Sequence, residues 1–138
     1  FSCLAPIFDA VQTFDTRLAP IAAGKLRADR RRAIGSCAFA QAGYGPREII
    51  ITRSEGPTVY ADGQFYTGRF TPRSLAGRTG RGDTCFSTYV GKRLLGASPR
   101  EATLWAAAVT TLKQEKPGPW SGTLAEAESL VREMQKDA

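Results

Sequence analysis

Between residues 77 and 84 three glycines fall within six positions, an aspartate closes the run, and a helical pattern follows at once. No other stretch limits the fold so tightly. Phe86, Val90 and Leu94 recur every four residues, which predicts one apolar stripe on a helix beginning near Asp83. Gly96 stops that helix, because a residue without Cβ readily takes the left-handed conformation that ends helices. A glycine-rich loop therefore delivers an acid to the first turn of a helix.

Such a junction suits phosphate chemistry. The first N–H groups of a helix lack intrahelical partners and lie at the positive end of its dipole. Glycines ahead of them let an anion come close to the backbone. Asp83 is then placed to hold a hydroxyl group and take its proton, while the free N–H groups stabilise a phosphoryl group in transit. Taken alone, Asp83 reads as a helix cap and the glycines as a turn. Two other motifs fail. The spacing of 77–84 matches a P-loop, but Asp83 stands where the phosphate-binding lysine belongs. Arg81-Gly82-Asp83 spells an adhesion tripeptide, yet it opens a helix in a chain with no secretory signal.

A chain of 138 residues can bury one core and suggests a single α/β domain over 1–138. With 42% apolar and 23% charged residues it reads as an ordinary globular protein, without a membrane-spanning stretch. Cys3, Cys37 and Cys85 are odd in number and widely spaced, which favours reduced thiols and a cytoplasmic location. The absence of histidine excludes His-based triads and His-ligated zinc. A net charge of +6 favours anionic partners without choosing among them.

In chain order, a short strand is expected over 10–14, then a helix from Asp15 through Ala23. Residues 25–32 form the densest basic run, but lack the interleaved aromatics of a nucleic-acid surface, so a solvated helix face is the expectation. Ala33, Cys37 and Ala40 continue a helix to Gly43. The unbroken run Glu48-Ile49-Ile50-Ile51-Thr52 predicts a strand covered on both faces, as in a parallel sheet. Asp62-Gly63 predicts a hairpin between 58–61 and 64–67, with Phe65 and Phe70 packing it onto the core. Ser98-Pro99-Arg100-Glu101 and Thr123-Leu124-Ala125-Glu126 are capping boxes. The first opens a helix with Ala102, Trp105, Val109 and Leu112 on one face; the second opens one striped by Leu124, Ala127, Val131 and Met134. Lys113 lies where a cation complements the end of the first of these helices.

Thr79-Gly80-Arg81-Gly82-Asp83-Thr84, the helix after it and residues 102–118 resemble the C-terminal signature of ribokinase-like (PfkB) carbohydrate kinases. The order of strand, hairpin, glycine loop and base-bearing helix agrees as well. The resemblance implies a mostly parallel sheet flanked by helices, with a β-hairpin. It implies Asp83 as catalytic base, with the amides of Gly80, Arg81 and Gly82 as an anion hole. It implies a nucleotide site drawing on Thr52, Gly56, Thr79, Ala107 and Gly118, with ATP and Mg2+ and at Gly118 a nucleotide or monovalent cation. Arg81 replaces the usual alanine, where its guanidinium is suited to clamp phosphates. Other departures are Ser54 for a glycine, Ala107 for an asparagine, Gly77 for an aspartate, and Phe14 and Arg17 in place of a magnesium-organising motif. The matching motifs belong to the second half of such enzymes and the chain opens at Phe1, so an N-terminal portion is expected in addition.

The function expected is transfer of the ATP γ-phosphate to an alcohol of a small sugar-like or nucleoside-like substrate. Neither nucleic acid nor membrane is expected as a partner, and a homo-oligomer is left open. Two alternatives accompany it: a nucleotide-binding protein that transfers phosphate poorly, and a basic nucleic-acid-binding module using 25–32.

Overall fold

The computed structural model describes residues 10–12 and 47–136. The helices expected over 15–23 and 33–43, the basic run 25–32, and Cys3, Phe14, Arg17 and Cys37 lie outside the described residues.

Four strands form one sheet in the order β1 (Ala10–Gln12), β2 (Glu48–Thr52), β3 (Pro57–Ala61) and β4 (Gln64–Thr67). β1 runs parallel to β2, with Val11 opposite Ile49; β2–β3 and β3–β4 are antiparallel. The described strands thus hold one parallel pair beside the expected hairpin. Asp62 and Gly63 turn that hairpin with φ of 51° and 78°, the two left-handed residues that match the twist of the paired strands. Three helices follow: α1 (Arg81–Leu94), α2 (Pro99–Gln114) and α3 (Leu124–Lys136).

The core forms where Ile50, Val59 and Ala61 of the sheet meet Cys85 and Tyr89 of α1 and Ala102, Ala106 and Ala107 of α2, closed by Phe70. Burying an aliphatic side chain of this size contributes roughly 1.5–3 kcal/mol, so Ile50 and Val59 anchor the layer. Ile49 and Ile50 are both fully buried, as the β-branched run requires. α2 contacts α1, α3, β3 and β4. It is therefore buried almost all round, and Thr103, Thr110 and Thr111 are as enclosed as its alanines. The single face predicted through Trp105 and Leu112 is too narrow: both are only half-buried.

Both capping boxes form. Ser98 Oγ accepts from the Glu101 N–H while Glu101 accepts from the Ser98 N–H, and Thr123 and Glu126 repeat the exchange. In α3 the stripe holds at Ala127 and Val131, with Met134 packed alongside, but Leu124 is 60% exposed. Phe65 likewise points outward, 41% exposed, its ring 5.0 Å from that of Tyr60. It lies on the sheet face opposite the core, since the pleat alternates sides.

Candidate active site

α1 starts two residues earlier than its apolar pattern suggests. Gly80 is the N-cap, with φ of 77°, and no side chain caps the helix. A left-handed residue turns the chain into the helix here, so only glycine fits without strain. The Gly80 carbonyl accepts from both the N–H and the hydroxyl of Thr84, at 3.0 and 2.9 Å. Asp83 is thus the third residue of the helix and not its cap; its carboxylate is exposed and left free by the capping geometry. The first-turn N–H groups of Arg81, Gly82 and Asp83 open at the same mouth.

The root of the loop is bound to the C-terminal end of α2. Thr71 N–H donates to Thr111 Oγ1, and Arg73 N–H donates to Glu115 Oε1. Gly77 N–H donates to the Gln114 carbonyl at 2.8 Å, one of the four acceptors a helix end leaves open. In the other direction Lys113 Nζ donates to the Gly77 carbonyl at 2.6 Å. The approach leaves no room for a side chain: a Cβ on Gly77 would lie 1.8 Å from the Lys116 carbonyl oxygen and 2.8 Å from that of Lys113. Gly77 is required here by proximity to backbone. Nothing in its local pattern announces that, and the same is true of Lys113, which is only 2% exposed.

Arg81 is half-buried, with its guanidinium 5.9 Å from the centre of the Phe70 ring. Thr79 is exposed at the loop tip. Gly56 presses on the backbone of Gly68, where its Cβ would lie 2.0 Å from the Gly68 carbonyl oxygen, and Gly68 in turn lies against Ala107. Thr52 closes β2 opposite Pro57. Thr52, Gly56 and Ala107 are thereby brought to one seam between sheet and α2. Ala107 is fully buried there and offers no surface of its own. Gly118, exposed with φ of 80°, turns the chain after α2, and Trp120 is half-buried against Gly122. Among the described residues no three His, Cys, Asp or Glu side chains converge to hold a metal.

The opposite end of α1 is fully tied down. Leu95 ends the helix, Gly96 N–H donates to the Arg93 carbonyl, and Ala97 N–H donates to that of Lys92, the paired bonds of a Schellman motif. Arg93 Nε donates to Glu48 at 3.0 and 3.1 Å, and Tyr89 Oη donates to the same carboxylate. Burial pushes the Glu48 carboxyl up, but the bonds from Arg93 and Tyr89 outweigh it and hold it below its ordinary value. Burial, then the neighbouring carboxylate, raises the Tyr89 phenol. Lys92 Nζ lies 3.2 Å from the centre of the Trp105 ring. Buried Cys85 has its thiol pushed up to about 12, mainly by burial, which makes it inert. The apolar stripe runs accordingly through Cys85 and Tyr89, with Phe86 and Val90 at its margin, whereas Leu94 is 51% exposed.

Among the described residues, a small sheet with helices packed on it and a glycine loop feeding an acid into a helix mouth define an α/β architecture. Solved structures agree. A pyrophosphate-dependent kinase of the ribokinase family, complexed with a pyrophosphate analog and myo-inositol, is 36% identical, with a TM-score of 0.61 over 87% of this chain and 40% of its own. The 2-dehydro-3-deoxygluconokinase of Thermotoga maritima shares the fold at a TM-score of 0.73 and 20% identity, over 90% of this chain and 41% of its own. An Escherichia coli protein assigned as a ribokinase II, in complex with ATP and Mg2+, gives 0.67 and 23%, over 91% and 39%. No family model and no curated protein matches the chain. The chain belongs to the ribokinase (PfkB) family and has the fold of its C-terminal portion. It spans about two fifths of the length of each of these structures.

Proposed function

We propose that this chain carries the phosphoryl-transfer half of a kinase acting on an alcohol of a small sugar-like or nucleoside-like molecule. The observation that carries the reading is the mouth of α1: an exposed Asp83 beside first-turn N–H groups that no side chain caps. Asp83 accepts the proton of the acceptor hydroxyl and aims its oxygen at the phosphorus. The amides of Gly80, Arg81 and Gly82 take up charge on the phosphoryl oxygens as the bond to the donor lengthens. The hydroxyl oxygen gains the phosphoryl group, the donor leaves one phosphate shorter, and Asp83 keeps the proton until product departs. Magnesium, which the resemblance implies, would arrive on the donor's phosphates and would supply neutralisation of their charge.

ATP is the donor that the resemblance implies, and the family member bound to ATP and Mg2+ supports it. A specific set of observations favours pyrophosphate as a second reading. The more identical relative is the pyrophosphate-dependent one. Arg69, Arg73, Arg78 and Arg81 precede Asp83 with no acid among them after Gly68, a density suited to a compact polyanion. On the seam with Gly56, Ala107 is buried and presents nothing to a nucleobase.

The test is phosphoryl transfer by the full-length gene product with Mg2+ and either ATP or pyrophosphate, across polyols including myo-inositol, sugars and nucleosides. Transfer with either donor, reduced on the order of 10³-fold in kcat by Asp83→Asn with donor affinity kept, is the expected outcome. Donor binding without transfer would leave the nucleotide-binding alternative, and full turnover by Asp83→Asn would remove Asp83 as the base.

A further inference from the structure

Lys113 is the buried charge that the architecture does not otherwise account for. It is 2% exposed and has no ion pair or carboxylate partner among the described residues. An ammonium has three N–H groups, and only one bond is made, to the Gly77 carbonyl at 2.6 Å. Burying an uncompensated ammonium costs several kcal/mol, which a structural role alone answers poorly. The carbonyls ending α2 offset part of that cost. Yet the side chain does not turn outward from them, as a lysine at a helix end ordinarily can. It runs beneath the glycine loop, with Cε 3.9 Å from where a Cβ on Gly80 would lie. Its charge therefore stands under the positive end of α1, where a cation is disfavoured unless an anion joins it.

We propose that Lys113 is a positioning residue of the phosphoryl site: its fixed charge, held below Gly80 through the Gly77 carbonyl, sets the loop amides and balances the incoming phosphate. The proposal rests on the reading of the α1 mouth as a phosphoryl-transfer site, and adds to it a residue 30 positions beyond Asp83 in the chain. It accounts for the burial of Lys113 and for the glycine at 77 together: the loop must lie on α2 for the lysine to reach beneath it. The missing counter-charge is then the substrate's own.

Thermal unfolding of the full-length protein, with and without millimolar magnesium pyrophosphate, tests this alongside turnover. Lys113→Gln keeps a donor for the Gly77 carbonyl and removes the charge. In the unliganded state its melting temperature is expected to equal or exceed that of the unsubstituted protein, because an unpaired buried charge is gone. The pyrophosphate-induced rise is expected to fall to less than half, and kcat to fall on the order of 10²-fold, as when a donor is lost from an oxyanion hole. KM for the alcohol should change less than about threefold, since Lys113 faces the phosphate and not the acceptor. A lower unliganded melting temperature with an undiminished pyrophosphate-induced rise overturns the inference and makes Lys113 a structural clamp. Failure of both Lys113→Gln and Lys113→Met to fold does the same. If the unsubstituted protein gains no stability from either magnesium pyrophosphate or magnesium ATP, the phosphoryl-site reading falls first, and this inference with it.

Discussion

The two ends of α1 are built on opposite terms. At its C-terminal end the polar groups named above find partners within the chain: a Schellman motif closes the backbone, Glu48 holds Arg93 and Tyr89, and Lys92 rests on Trp105. At its N-terminal end a bare glycine does the capping, no side chain hydrogen-bonds the helix end, and a buried ammonium without a counter-charge among the described residues lies beneath. Stability arguments explain the first arrangement. They do not explain the second, which leaves helix donors without a side-chain cap and that buried charge unbalanced. A serine or threonine cap takes an extended backbone, so the left-handed turn at Gly80 rules out that form of capping here. One end anchors the helix, and the other is kept open for something that arrives.

Substitutions at the two ends should separate these roles. The largest effect is expected from Asp83→Asn, on the order of 10³-fold in kcat, roughly 4 kcal/mol of barrier. Its melting free energy should shift by less than about 1 kcal/mol, because an exposed first-turn acid contributes only through the helix dipole. Gly77→Ala comes next. It forces apart two backbone segments and should cost about 3 kcal/mol in denaturant unfolding, with turnover lost as well. If Gly77→Ala unfolds normally and retains turnover, the loop is not seated on α2 as described.

At the closed end, Glu48→Gln should lower stability by about 2 kcal/mol while leaving turnover per folded molecule unchanged. Because Glu48 is held below its ordinary value of 4.5, its contribution is present above that pH and lost as pH falls through its folded value. The Gln variant should therefore show a flatter acid limb in a plot of stability against pH. Tyr89 acts in the other direction. Its raised phenol contributes stability that is present below 10.0 and declines as pH rises past it. The smallest effect is expected from Gly96→Ala, about 1 kcal/mol, which frays the C-terminal turn without touching the site. A loss of activity from either closed-end change, beyond the loss of folded protein, would break the division between the ends.

Much of this was legible in local sequence. Asp62-Gly63 announces its hairpin because both residues tolerate positive φ, and the isoleucines of β2 announce a doubly covered strand. The capping boxes and Gly96 mark helix ends through groups within a few residues of each other. What escaped depends on partners distant in the chain. α1 begins at Arg81 because Gly80 caps it by backbone geometry, a device with no side-chain signature. α2 is enclosed on nearly all sides, but its alanines and threonines carry little hydrophobic signal, so a pattern reading finds one face where the fold uses most of them. Lysine is presumed exposed by type; Lys113 is buried because a loop 36 residues earlier lies across it. The candidate base and its glycines were visible, and the support beneath them was not.

The contact at Gly77 constrains how this protein can change. A Cβ there would meet the carbonyls of Lys113 and Lys116, which are main chain, so no compensating side chain elsewhere can make room. Suppressors of a Gly77→Ala defect, selected at random, should restore glycine itself or alter the length of the turn that follows α2. They should not appear as single replacements scattered along that helix.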